Sequence, residues 1–223
     1  MRLNKFVART TGKSRREADD LIVAGRIKVD GKVAELGTQV TETQEILLDR
    51  QELRLPHERN LIMLNKPVGY VSSRRAQAKN AKTLYELLPE KYRALKTVGR
   101  LDQDSSGLIL LTDDGDFTFQ MTHPKFTKTK IYLVQIDKPL EPLHQQMIVD
   151  FGVNLADGKS QMTLERLDET RLNWRVIMHE GRNRQIRRTF AALGYTVEKL
   201  HRTDFGNYHL GNLKPGEYRV IES

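Results

Sequence analysis

The sequence predicts an α+β protein built in two modules, and three observations carry that prediction. Apolar residues recur at helical spacing near the start (Leu3, Phe6, Val7, then Ala18, Leu21, Ile22), and a polar/apolar alternation around Asp30-Gly31 follows. From Leu61 onward, apolar runs of strand length alternate with amphipathic stretches of helix length. Between them, residues 51–60 hold Glu52, Arg54, Pro56, Glu58 and Arg59 and read as a linker. A chain of 223 residues with 38% apolar content can bury a core in one large domain, or in a medium one beside a small one. The expected division is residues 1–55 and 60–223.

Each element has its own local reason. Ser14-Arg15-Arg16-Glu17 carries the capping-box pattern that starts a helix, and Gly25 is placed to end it. Arg26 to Val33 alternates around Asp-Gly, a strong short hairpin signal, so the first module is two short helices and a hairpin. Leu61-Ile62-Met63-Leu64-Asn65-Lys66-Pro67 predicts a buried strand running into a turn. Leu108-Ile109-Leu110-Leu111 predicts another, directly after a glycine-rich turn. Residues 130–136 and 172–178 are expected strands, and 183–193 an expected helix closed by Gly194.

Charge narrows the partners. Lys and Arg number 37 against 29 Asp and Glu, giving a formal charge of +8 and a pI near 9.6, as a protein for a polyanion would have. In the first module Arg2, Lys5, Arg9, Lys13, Arg15, Arg16, Arg26, Lys28 and Lys32 fall mainly on positions that the apolar pattern leaves exposed; an ordinary solvated face would look the same. Cysteine is absent, which excludes disulfides, thiolate zinc sites and cysteine nucleophiles. The chain contains no Gly-x-Gly-x-x-Gly, phosphate-binding loop or internal repeat, and its six histidines are scattered without metal-ligand spacing. No bound nucleotide, metal or other cofactor is therefore expected. Met1 to Phe6 lacks the apolar core of a signal peptide and no apolar run approaches a membrane span, so a soluble, cytoplasmic protein is expected.

The stretch Gly99-Arg100-Leu101-Asp102-Gln103-Asp104-Ser105-Ser106-Gly107 places an arginine, carboxylates and a flexible turn ahead of a buried strand. By composition alone Asp102 is a turn residue. A calcium loop also comes to mind from Asp102, Asp104, Ser106, Gly107 and Asp113, but it needs a closing bidentate glutamate and flanking helices, and here there are Asp113 and an apolar strand. Gly-Arg-Leu-Asp followed by Ser-Gly-Leu and a Leu/Ile run resembles the signature of pseudouridine synthases, in the branch that modifies ribosomal RNA. That resemblance implies Asp102 as the essential residue.

Two further segments carry the same resemblance. Lys130-Ile131-Tyr132-Leu133-Val134 is similar to the family's Lys-x-Tyr strand, which implies that the Tyr132 ring packs against the target base; on pattern alone it is a core aromatic. Glu180 to Arg188 resembles the family's glycine turn and helix with a glutamine and a basic residue, implying that Arg187 pairs with Asp102. Arg182, Arg184, Arg187 and Arg188 fall within seven residues, a field able to hold RNA phosphates, although a solvated arginine stripe is the ordinary reading. Many relatives have histidine where this chain has Asn183 or Arg184. Arg100 is placed by resemblance to fill the space left by a displaced base. The first module, with Arg-Leu-x-Lys-Phe, Ser-Arg-x-x-Ala and Gly-x-Ile-x-Val-x-Gly, resembles the alpha-L RNA-binding module. Arg2, Lys5, Arg15, Arg16, Arg26 and Lys28 become its expected RNA contacts.

The resemblance implies a catalytic domain with a mixed, mostly antiparallel sheet and an enzyme that isomerises uridine in ribosomal RNA or a pre-ribosomal particle; since nothing suggests a coiled coil or a large exposed apolar seam, a monomer is expected. The third motif leans toward large-subunit RNA. Isomerisation gains and loses no atoms, so it needs no redox group, metal or second substrate, only a partner for electron-poor sugar carbon, and a carboxylate serves. Two alternatives are weighed: a non-catalytic RNA-binding or ribosome-assembly protein on the same scaffold, and an RNA base glycosylase with Asp104 as second carboxylate. For the latter, side chains two apart on a strand or turn are not expected to converge.

Overall fold

The computed structural model, which describes residues 1–41, 43–55, 59–74 and 81–222, opens with two helices, α1 (Leu3–Thr11) and α2 (Arg15–Val23). The capping box at α2 forms as its pattern requires: Glu17 N donates to Ser14 Oγ at 3.2 Å and Ser14 N to Glu17 Oε2 at 2.7 Å. Gly25 follows in the left-handed region at φ +66°. Strands β1 (Ile27–Val29) and β2 (Lys32–Val33) flank Asp30 and Gly31, whose φ values of +48° and +79° make the two-residue turn that matches strand twist. Leu3, Phe6, Val7, Ala18, Ile22, Ile27 and Ile46 close the core of this unit, which spans Met1–Asn60.

The hairpin is half of a larger sheet. Strands β3 (Ile46–Leu48) and β4 (Gln51–Glu52) extend it in the order β2-β1-β3-β4. The polar segment 51–60 therefore begins as a strand: Gln51 and Glu52 pair with Leu48 and Leu47, and both are exposed, as on an edge strand open on both faces. Pro56 and Glu58 of that segment lie outside the described residues.

The second unit, Leu61–Glu222, is organised by one nine-stranded sheet. Its members are β5 (Leu61–Lys66), β6 (Lys96–Val98), β7 (Ser106–Thr112), β8 (Lys130–Ile136), β9 (Thr163–Arg166), β10 (Asn173–Met178), β11 (Val197–Phe205) and β12 (Tyr218–Val220), with Tyr208–His209 added beside β11. The order is β9-β10-β8-β11-β7-β5-β12, with β6 on β7. All pairings in it are antiparallel among the described residues except β11 with β7, where His201 and Arg202 lie beside Ser106 and Gly107. The mixed, antiparallel-dominated sheet of the sequence reading is present.

β7 is an unbroken apolar run because both its faces are covered. Ile109 and Leu111 join the large core with Trp174, Val176 and Phe190, while Leu108 and Leu110 join a second cluster with Met63, Met121 and Phe205. Helix α3 (Gly115–Thr122) follows β7, capped by Asp114, and helix α4 (Gln185–Ala192) packs Ile186 and Phe190 into the large core. The 183–193 helix begins two residues late. Arg184 is left-handed, at φ +48°, so its peptide cannot enter the helical repeat. Among the described residues no helix is long and apolar enough to cross a membrane.

Candidate active site

Residues 99–105 link β6 to β7 and are held at successive positions. Ser72 Oγ accepts from Leu101 N at 3.1 Å and donates to Leu101 O at 2.8 Å. Gly69 N donates to Gln103 O at 2.7 Å, and Arg187 Nη2 to Asp104 O at 2.7 Å. Lys66 Nζ donates to Ser105 O at 2.6 Å. A loop bound this way presents the Asp102 side chain from a rigid frame.

Asp102 faces a cleft of about 970 Å³ that also exposes Arg100, Ser105, Lys130, Tyr132, Arg182 and Arg184, large among ligand sites of about 300–1,000 Å³. Tyr132, on β8, is buried and belongs to the large core while lining this cleft. Arg100 stands exposed on the rim.

The ion pairs differ from the expected one. Arg184 Nη1 lies 3.5 Å from Asp102 Oδ2, and its two terminal nitrogens grip Asp104 at 3.0 and 2.8 Å. Arg187, instead of pairing with Asp102, places Nε 3.2 Å from Asp104 Oδ2 and donates through Nη1 to Val197 O at 2.6 Å. Their places relative to the helix start explain this: Arg184 precedes the helix and reaches over the loop, while Arg187 is inside the first turn and enclosed behind it. Asp102 and Asp104 thus do converge, on the Arg184 guanidinium. Its hydrogen bond holds the Asp104 carboxyl below the usual carboxylate range, with Arg187 adding to the effect.

Arg182 and Arg188 are committed to the protein. Arg182 donates to the Asp157, Gly158 and Lys159 carbonyls at 3.0, 3.0 and 2.8 Å, and Arg188 grips the Asp157 carboxylate at 2.9 and 2.7 Å. In the first unit Arg26 is bidentate to Asp49, while Arg2, Arg15, Arg16 and Lys28 are exposed and Lys5 is half-buried.

Lys66 and Lys130 escaped the sequence reading as site residues. The signal for Lys66 was a lysine closing a strand otherwise read as buried. Burial pushes both ammonium groups down to about 8. Between pH about 8 and their ordinary 10.5, the unfolded chain therefore binds more protons at these positions than the folded one. Their contribution to stability rises with pH over that interval. Urea unfolding at several pH values from 8 to 9.5 is expected to show a shallower rise for Lys130→Met than for the parent; equal slopes would remove Lys130 from this account.

Residues 60–192 match the RNA pseudouridylate synthase family. The chain belongs to that family. Residues 1–46 match the S4 domain, where an RNA-binding module was expected. Among relatives of this pseudouridine synthase, the ribosomal small subunit pseudouridine synthase A of Pasteurella multocida is 38% identical, covering 100% of this chain and 97% of its own. The ribosomal large subunit pseudouridine synthase B of Bacillus subtilis is 34% identical over 99% of this chain and 91% of its own. A solved crystal structure of a pseudouridylate synthase superposes with a TM-score of 0.70 at 35% identity, over 100% of this chain and 96% of that one. With this membership the non-catalytic alternative falls away.

Proposed function

We propose that this pseudouridine synthase acts on a uridine of ribosomal RNA or of a pre-ribosomal particle, as a monomer without a cofactor, with Asp102 as its essential carboxylate. The observation that carries the reading is a carboxylate on a braced loop facing Tyr132 across one cleft, with the Arg184 guanidinium 3.5 Å from it. The target nucleotide leaves its stack at a cost of about a few kcal/mol, and Tyr132 offers it a stacking surface worth roughly 1–3 kcal/mol. Arg100, on the rim, fills the vacated position. The N1–C1′ bond then breaks, the base turns, C5 joins C1′, and the C5 proton leaves as N1 gains one, while Asp102 stabilises the electron-poor intermediate. Arg187 braces the loop through the Asp104 carbonyl.

A glycosylase needs a second carboxylate to activate water. Asp104 is clamped by Arg184 on both oxygens, which disfavours that reading.

The names of the relatives divide between the two ribosomal subunits, and the motif Gly181-Arg182-Asn183-Arg184-Gln185-Ile186-Arg187-Arg188 carries the lean to large-subunit RNA. Pseudouridine mapping of both ribosomal RNAs, from cells with and without the gene, tests the proposal. One site lost and restored by add-back supports it and names the subunit; an unchanged map overturns the ribosomal assignment.

The exposed cations of the first unit supply orientation through phosphates. Combining Arg15→Ala, Arg16→Ala, Lys28→Ala and Lys32→Ala is expected to weaken RNA binding and flatten its salt dependence. Each lost phosphate contact removes roughly 0.7–0.9 from the log–log slope, while the rate at saturating RNA holds. An unchanged slope would mean that these residues are not an RNA grip.

A further inference from the structure

Buried donors are almost always satisfied in folded proteins, and a persistent exception asks for a ligand. Three such atoms line the cleft; one, Arg182 Nε, still has the Glu180 carboxylate at 3.3 Å, and the other two belong to Arg202 and Ser105. Arg202 is 2% exposed and Ser105 is 1% exposed, and Arg202 Nη2 and Ser105 Oγ have no hydrogen-bond partner among the described residues. The Arg202 side chain and the Ser105 backbone are both held in place. Arg202 Nε donates to Leu108 O at 2.8 Å, its guanidinium lies 4.8 Å from the Phe205 ring centre, and its backbone runs against Gly107. Ser105 is fixed by the Lys66 ammonium on its carbonyl. Arg202 is directly opposite Tyr132 on the neighbouring strand, so the two side chains project from the same face of the sheet.

An arginine carries only donors. A fixed, enclosed arginine therefore suits a carbonyl oxygen and opposes an amino group. Lys130 Nζ, 5.3 Å from the same Phe205 ring, adds a second cation to this floor. Uracil and cytosine differ at position 4 by this property, a carbonyl in one and an amino group in the other.

We propose that Arg202 reads the O4 carbonyl of the target uracil and that Ser105 Oγ accepts from its N3–H, so that this pair selects uridine over cytidine. The proposal rests on the reading that the cleft holds the target base. A site built to hydrogen-bond one substrate group rejects an analogue that leaves the site's polar atoms unpaired.

The test uses the full chain and short RNAs with uridine, cytidine or 4-thiouridine at the mapped position. The parent protein is expected to bind uridine RNA at least about 30-fold more tightly than cytidine RNA, a ratio that Arg202→Gln lowers below about 5-fold, because glutamine can accept as well as donate. Ser105→Ala is expected to lower it less. Sulfur is a poorer acceptor than oxygen, so 4-thiouridine weakens parent binding with no change to the protein. That arm serves if Arg202→Gln fails to fold. Irradiating the 4-thiouridine complex maps the base. An adduct on the cleft with an unchanged uridine-to-cytidine ratio in the variants, or with 4-thiouridine bound as tightly as uridine by the parent, overturns the assignment of Arg202 alone. An adduct outside the cleft overturns the placement of the base as well.

Discussion

Replacing Asp102 with asparagine is expected to lower the rate of pseudouridine formation by at least about a thousandfold while RNA affinity stays within about threefold of the parent. Asparagine keeps the shape of the side chain and removes the charge that faces electron-poor sugar carbon. The neighbourhood has no reason to collapse, because Arg184 retains both hydrogen bonds to Asp104 when its 3.5 Å contact with Asp102 is neutralised. Asp102 is partly exposed, and an exposed pair of this kind contributes only about 0–1 kcal/mol. Single-turnover assays on the mapped RNA, with binding titrations beside them, separate the two quantities. Parent-like turnover would remove Asp102 from the chemistry.

The largest expected effect on stability comes from Gly107→Ala. A Cβ there would stand 2.2 Å from Arg202 O and 2.6 Å from Arg202 N, at a φ of +105° that side chains rarely adopt. The obstacle is the backbone of the neighbouring parallel strand, which cannot swing away as a side chain can. A loss of about 4 kcal/mol or more is expected, combining backbone strain with a forced separation of β7 and β11. Chemical unfolding measures it against Gly115→Ala, at the start of α3, where a Cβ meets nothing within 4 Å and the change is expected to be neutral or stabilising by up to about 1 kcal/mol. Equal stability of the two variants would contradict the tight approach of the strands.

The capping box at Ser14, the Asp30-Gly31 turn and the apolar run of β7 were legible in the sequence because each is decided by neighbours along the chain. β3 and β4 were not, since Ile46–Leu48 gains its identity by pairing with β1, and Gln51–Glu52 by pairing with β3 in turn. At the cleft, the motif residues around Asp102 and Tyr132 stood out, yet their electrostatic partners did not. Whether Arg184 or Arg187 reaches Asp102 depends on one left-handed residue at the helix start, and no pattern in Asn183-Arg184-Gln185 encodes it. Lys66 and Arg202 were hidden for a related reason. A cation in a strand is identical in sequence whether it points to water or to a carbonyl across the fold.

The placement of β12 beside β5 bears on how the enzyme comes into being. Tyr218 pairs with Leu64 and Val220 with Ile62, so β5, translated early in the catalytic unit, waits for a partner made after nearly every other strand of the sheet. Until then one border of Leu61-Ile62-Met63-Leu64 has open amide and carbonyl groups and an apolar surface, the features by which nascent chains pair wrongly with one another. The final seam of the sheet thus closes only over a long span of chain, a slow step by its topology.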